Sequence, residues 1–223
     1  MSKVLECLTT VGSETKKRQS FTHFSREALQ ILRNIPNISM DFHNHHPLHV
    51  YCGSLYFISA RTYNGVEYFN DDICCRIFLK RFNVLVKHYE FKIFAWVLLH
   101  NHYHLLMQIN EGQEESKKYL LSEFFRKLHS QTASILNQVD HAPARQIWYQ
   151  YWDWCIRNEE DFWYHFVYLL QNPLKHGLTT NWPDTFNYKF SSNPQYLKNK
   201  GEEYLHDMLA YYPVKDWTPE GCE

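Results

Sequence analysis

The sequence predicts an α+β domain, one antiparallel sheet with helices packed on it, in the order β-α-β-β-α-β-α. Three observations lead there. Several short runs rich in aromatic and β-branched residues read as strands, among them 54–62 (SLYFISART), 91–99 (FKIFAWVLL) and 102–109 (HYHLLMQI). Amphipathic segments with apolar residues three and four apart lie between strands. Finally, 91–99 and 102–109 are separated only by His100 and Asn101, a corner too tight for anything but an antiparallel hairpin.

Taken in order, residues 1–48 are polar and irregular, with one short helix expected over 25–33 (SREALQILR) and a histidine-rich stretch at His43, His45, His46 and His49. The first strand follows at 54–62. Asn70 or Asp71 suits the N-cap of a helix reaching about His88, with Ile73, Ile77, Val84 and Leu85 at helical spacing. After the hairpin, a second helix fits 121–139, where Leu121, Phe124, Phe125, Leu128, Ile135 and Leu136 keep one stripe. Residues 146–156 (QIWYQYWDWCI) read as a strand or an extended arm. Asn158 caps a third helix whose first turn carries Glu159, Glu160 and Asp161, where the helix dipole favours acids. Pro173 disfavours helical geometry at Asn172, so this helix is expected to end near there. Beyond Gly177, NWPDT and SSNPQ read as loops and 202–209 as a terminal helix. The organisation expected is therefore an N-terminal appendage (1–48), a central domain (49–180) and a C-terminal extension (181–223).

Composition narrows the class. Of the 223 residues, 44% are hydrophobic and 17% aromatic, enough for a packed core and against disorder. Cys7, Cys52, Cys74, Cys75, Cys155 and Cys222 form no C-x-x-C pair and no secretory framework. The start lacks a signal-length apolar stretch and no run approaches a membrane span, so a cytoplasmic protein without membrane association is expected. The formal charge of −1 points to no partner, but basic residues cluster locally. Residues 76–92 hold five against one acid, and 117–129 hold four against one, patches able to meet phosphate in a neutral chain. The tail from Gly201 is acidic.

Two features carry chemistry. His102 and His104 stand two apart on a strand, so their imidazoles leave the same face and can converge on one divalent cation. Tyr168 and Asn172 stand four apart on the third helix and share a face, while Phe166, Leu169 and Leu170 anchor that helix. In a chain with 14 histidines and 16 tyrosines, neither feature alone singles out a site.

Their combination does. The segment VLLHNHYHLLMQ and the later run IWYQYWDWCIRNEEDFWYHFVYLLQNPLKHGL resemble the single-tyrosine HUH transposases, and within them the REP-associated tyrosine transposases. In that branch an N-H-x-H-L-L strand precedes a W…D…R-x-E-E-D…Y-x-x-x-N-P-x-x-x-G-L segment. The resemblance covers roughly 52–180 and implies a ferredoxin-like sheet, the palm of HUH nucleases. It further implies a metal-dependent single-stranded DNA endonuclease and strand transferase acting on hairpin-flanked DNA. His102 and His104 fall on the paired metal ligands, Tyr168 on the nucleophile and Asn172 on the third ligand, with Gln171 a weaker candidate. The aspartate of the W…D segment falls on Asp153, for which a structural or supporting role is expected. The implied cofactor is a divalent metal, Mg2+ or Mn2+, and the implied partner is single-stranded, hairpin or palindromic DNA. A homodimer is left open. DNA contacts are expected from Arg126, Lys127, Lys117 and Lys118, and from Arg157 and Lys175.

Several departures bear on the site. His100 stands where the family commonly has proline; it is either an additional ligand or a turn residue, and the turn is favoured. Tyr164 lies one helical turn before Tyr168, but out of register with the Asn-Pro pair. Two other functions compete: a DNA-hairpin-binding regulator without catalysis, and a replication-initiator or relaxase-type nicking enzyme of the wider HUH group. A zinc deaminase is a poor reading, since the P-C-x-x-C that must accompany H-x-E is missing.

Overall fold

Alternating apolar residues on both faces of a strand require cover on both sides, and the chain supplies it with helices. The computed structural model describes residues 55–109 and 120–213. The helix expected at 25–33, the histidine-rich stretch at 43–49, and Lys117 and Lys118 lie outside the described residues.

Four strands, β1 (Leu55–Thr62), β2 (Lys92–Leu98), β3 (His102–Gln108) and β4 (Trp148–Cys155), form one antiparallel sheet in the order β2-β3-β1-β4. Helix α1 (Asp72–Tyr89) begins at Asp71, whose carboxylate accepts the Ile73 N–H at 2.6 Å. With α2 (Leu120–Val139) it covers one face, where Tyr56, Ile58, Tyr103, Leu105 and Met107 meet Phe78, Phe82, Phe124 and Phe125. Helix α3 (Glu159–Lys175) lies on the other face, where Leu55, Phe57, Val97 and Leu106 meet Phe162, Phe166 and Leu170. Because strand residues alternate sides, placing Tyr103 under α2 commits His102 and His104 to the α3 face. The expected α+β architecture and the order of its first seven elements are those observed, apart from a 3-10 turn at Tyr63–Gly65.

Two expectations are corrected. Helix α3 does not stop at Asn172 but continues through Pro173 to Lys175. A helical proline forfeits its own N–H bond, yet the following turn is intact, with His176 N–H donating to Asn172 O at 3.0 Å and Leu178 N–H to Pro173 O at 2.8 Å. Termination comes from Gly177 at φ +67°, a left-handed conformation that glycine adopts without a Cβ clash. In addition, NWPDT and SSNPQ are not loops. They open α4 (Trp182–Phe186) and α5 (Asn193–Lys200), with Asn181 capping α4 through a bond from Asp184 N–H and proline in the first turn of both. Helix α6 (Glu202–Tyr211) follows. Phe186, Tyr196, Leu205 and Met208 from these helices join the core beneath α3. Among the described residues, no helix is long and apolar enough to cross a membrane.

Candidate active site

The hairpin corner fixes the first histidine. Asn101 Nδ2–H donates to Gly65 O at 3.1 Å, which turns its carbonyl oxygen toward His102 Nδ1 at 2.6 Å. The oxygen can only accept there, so His102 carries its proton on Nδ1 and keeps the lone pair on Nε2. His104, one pleat further, is 5% exposed, and neither of its ring nitrogens has a hydrogen-bond partner. The two rings stand 5.1 Å apart between centroids.

From the opposite layer, α3 presents Tyr168 and Asn172 to the histidine pair. The Tyr168 ring meets His104 edge-on at 5.3 Å and Phe57 at 5.9 Å. Phe57 in turn stacks on His104 at 5.3 Å, so nucleophile candidate and ligand candidate are held against the same aromatic wall. Asn172 is wholly buried. Its Nδ2–H donates to Tyr168 O at 3.0 Å, leaving Oδ1 buried without a hydrogen bond. Buried polar atoms are nearly always paired. Here His104, at both ring nitrogens, and Asn172, at Oδ1, are exceptions on facing elements; a cation between them would take Oδ1 and the one His104 nitrogen that carries a lone pair.

Electrostatics suit that reading. Burial holds His104 well below the usual histidine range, reinforced by His102, His176, Lys175 and His165. Burial, and then the neighbouring His176, pull His102 down to about 3, against the opposing effect of the Asn172 amide. Both imidazoles are therefore neutral at pH 7, the form that donates a lone pair to a metal. Among the described residues no three His, Cys, Asp or Glu side chains group as a metal cage. The donors that His102, His104 and Asn172 would offer are two imidazoles and an amide oxygen, a set compatible with Mg2+ or Mn2+ and also with softer divalent ions.

The other predicted residues divide by position. Lys175 places Nζ 5.4 Å from the Tyr168 ring centroid, at the site. Arg157 lies over Trp154 at 5.3 Å, at the other end of α3. Arg126 and Lys127 belong to α2, on the opposite face of the sheet from His104, and Lys127 pairs with Glu123 at 2.8 Å. Asp153 pairs with Ile58 across β1 and therefore also points away from the histidine pair. His100 sits in the hairpin turn, 3.7 Å from the Glu67 carboxylate, as the turn reading expected. Tyr164 packs edge-on against Tyr212 at 5.5 Å, beside α6.

Two histidines at the site were not singled out in the sequence. His176, the C-cap of α3, lies 4.5 Å from His102 between ring centroids. His165, 1% exposed, packs at a tilt against Phe57 at 4.6 Å and is tied to Asp161. The usable signals were helical spacing from Tyr168 for His165 and adjacency to the helix-ending glycine for His176.

No family model matches the chain. A putative REP-associated tyrosine transposase of Haemophilus influenzae is 28% identical over 138 residues, covering 59% of this chain and 78% of the relative. A REP-associated tyrosine transposase of Escherichia coli is 32% identical over 98 residues, covering 42% of this chain; the match spans 52%, about half, of that relative. A solved structure of a REP-associated tyrosine transposase bound to a REP hairpin superposes with a TM-score of 0.56 at 19% identity. It covers 74% of this chain and 88% of the other, a likeness of fold.

Proposed function

We propose that this chain, similar in sequence and in fold to the REP-associated tyrosine transposases, cuts and rejoins single-stranded, hairpin-flanked DNA through a covalent bond to Tyr168. The observation that carries the reading is the placement of Tyr168 against His104, where the His104 ring and Asn172 Oδ1 are buried without hydrogen-bond partners.

The chemistry follows from the parts. A phosphodiester resists attack because its oxygens are negative and its alkoxide leaving group is poor. A divalent cation held by His102, His104 and Asn172 would polarise the scissile phosphate and offset charge in the transition state. The Tyr168 oxygen attacks phosphorus and gives up its proton. The bond from phosphorus to the 3′-oxygen breaks, and that oxygen leaves as a hydroxyl, so the products are a 5′-phosphotyrosine and a free 3′ end. The adduct keeps the energy of the bond that was broken, and attack by another 3′-hydroxyl reverses the step without ATP. Lys175, beside the Tyr168 ring, attracts the phosphate to this point. Phe57 and the α3 core fix the phenol so that little orientation entropy is lost at attack.

The test is incubation with labelled single-stranded hairpin DNA from the flanks of the gene, with Mn2+ or Mg2+, followed by denaturing electrophoresis. The expected result is a protein–DNA adduct that survives denaturation and vanishes in Tyr168→Phe, while hairpin binding persists. Full nicking by Tyr168→Phe overturns the nucleophile assignment. Tight binding with no adduct in the wild type favours a non-catalytic regulator instead.

A further inference from the structure

On the same sheet face as the histidine pair, but beyond the cover of α3, the edge strand β4 carries an aromatic surface that the reaction does not use. It arises from an irregularity in pairing. Between Ala60↔Tyr151 and Thr62↔Trp148, β1 advances two residues while β4 advances three. This extra residue lets both Trp148 and Tyr151 face the α1–α2 core and sends Tyr149 to the opposite side, as bulges re-aim side chains. There the Arg61 guanidinium lies over the Tyr149 ring at 5.7 Å. Tyr149 is 5.9 Å from Trp152 and 6.4 Å from Tyr63 between centroids. Tyr149 and Tyr63 are 45% and 39% exposed, an unusual outlay of large rings on a surface.

Register ties this surface to the site. His104 pairs with Ser59, which pairs on its other side with Trp152, and His102 pairs with Arg61. Trp152 is thus two strand spacings from His104, roughly 10 Å across the sheet. A strand of DNA whose phosphate lies at His104 and Tyr168 has its neighbouring nucleotides within reach of these rings.

We propose that Tyr149 and Trp152, with Tyr63 and Arg61 beside them, form a stacking platform for unpaired bases next to the cleaved phosphate. The inference rests on the reading of Tyr168 and the histidine pair as a DNA-cleaving site. A single strand is the occupant because its exposed bases offer flat faces to the rings and its phosphates complement Arg61; the bases of a duplex are already stacked on one another. The platform grips without reading sequence, since every base has a π-face. It supplies the hold on the strand that the basic residues of α2, on the far side of the sheet, are not placed to give.

The test measures equilibrium binding of fluorescein-labelled oligothymidylate and of an abasic strand with the same phosphates, in EDTA, so that cleavage plays no part. Wild type should prefer the base-bearing strand. Tyr149→Ala and Trp152→Ala should each weaken that binding roughly 5- to 100-fold, with little effect on the abasic strand. Tyr149→Phe should restore it, and circular dichroism should show that each variant is folded. Equal binding of the two strands by wild type, or unchanged binding by a folded Tyr149→Ala/Trp152→Ala double variant, overturns the platform. Failure of the cleavage reading is seen separately, as a wild type that binds base-bearing DNA but forms no Tyr168-dependent adduct.

Discussion

Acidification should destabilise this protein through its buried neutral histidines, and His129 allows the effect to be isolated from the candidate metal site. His129 lies on α2, where its Nε2 is 2.8 Å from the Tyr103 hydroxyl and its ring stacks on Trp148 at 4.6 Å. Burial alone pulls it down to about 3 from an ordinary 6.5. A base whose pKa is depressed by folding binds its proton more readily when unfolded, so stability is complete above 6.5 and falls as pH drops toward 3. At pH 5 the unfolded state is almost fully protonated at this position and the folded state almost fully neutral. The gap of roughly 1.5 pH units, at 1.36 kcal/mol per unit, costs about 2 kcal/mol. His102, held down to about 3 as well, should cost a similar amount, and His104 acts in the same direction. Urea unfolding of metal-free protein, followed by tryptophan fluorescence, should therefore show a loss of about 4 kcal/mol or more between pH 7 and pH 5. In His129→Gln the pH-dependent part of that loss should shrink by about 2 kcal/mol, whatever the variant's stability at pH 7. A wild-type midpoint that does not move, or a His129→Gln variant that loses as much as wild type, refutes the argument.

Other expectations concern the site and its supports. Mn2+ at a hundredfold excess over its Kd should stabilise the fold by about 2.7 kcal/mol, a rise in Tm of roughly 5–10 °C. His104→Ala should remove that rise, and an unchanged metal response would exclude His104 as a ligand. Asn193→Ala takes donors from Leu170 O and Thr185 O, both at 3.0 Å, and should cost about 2 kcal/mol in urea unfolding by loosening α5 from α3. Gly177→Ala meets no atom within 4 Å, so its cost is backbone strain alone, about 1 kcal/mol by thermal melting. A much larger loss would mean that the end of α3 is held by more than the turn.

Much of this molecule is determined locally and could be read directly. Alternation in 54–62 and 102–109, the two-residue corner between β2 and β3, and the apolar stripe of α2 each reflect a period that a strand or helix imposes on its own residues. The pairing of His102 with His104, and of Tyr168 with Asn172, follows from the same periods. Elsewhere a neighbour outweighs the local signal. Pro173 should end α3, but Gly177 and the bonds from His176 and Leu178 carry it one turn further, bringing Lys175 and His176 to the site. Asn-Pro and Asn-Trp-Pro suit a loop and the start of a helix equally; the apolar face under α3 that buries Phe186 and Tyr196 decides between them.

Sequence by itself thus determined which side chains could do chemistry, because motif spacing is a property of single elements. Only the tertiary structure decided which of them meet, because that depends on which face of the sheet each helix covers. Tyr103 beneath α2 turns His104 toward Tyr168, while the same layering sends Arg126, Lys127 and Asp153 to the other side. No periodicity in the chain states that choice; it is made where the two apolar cores close.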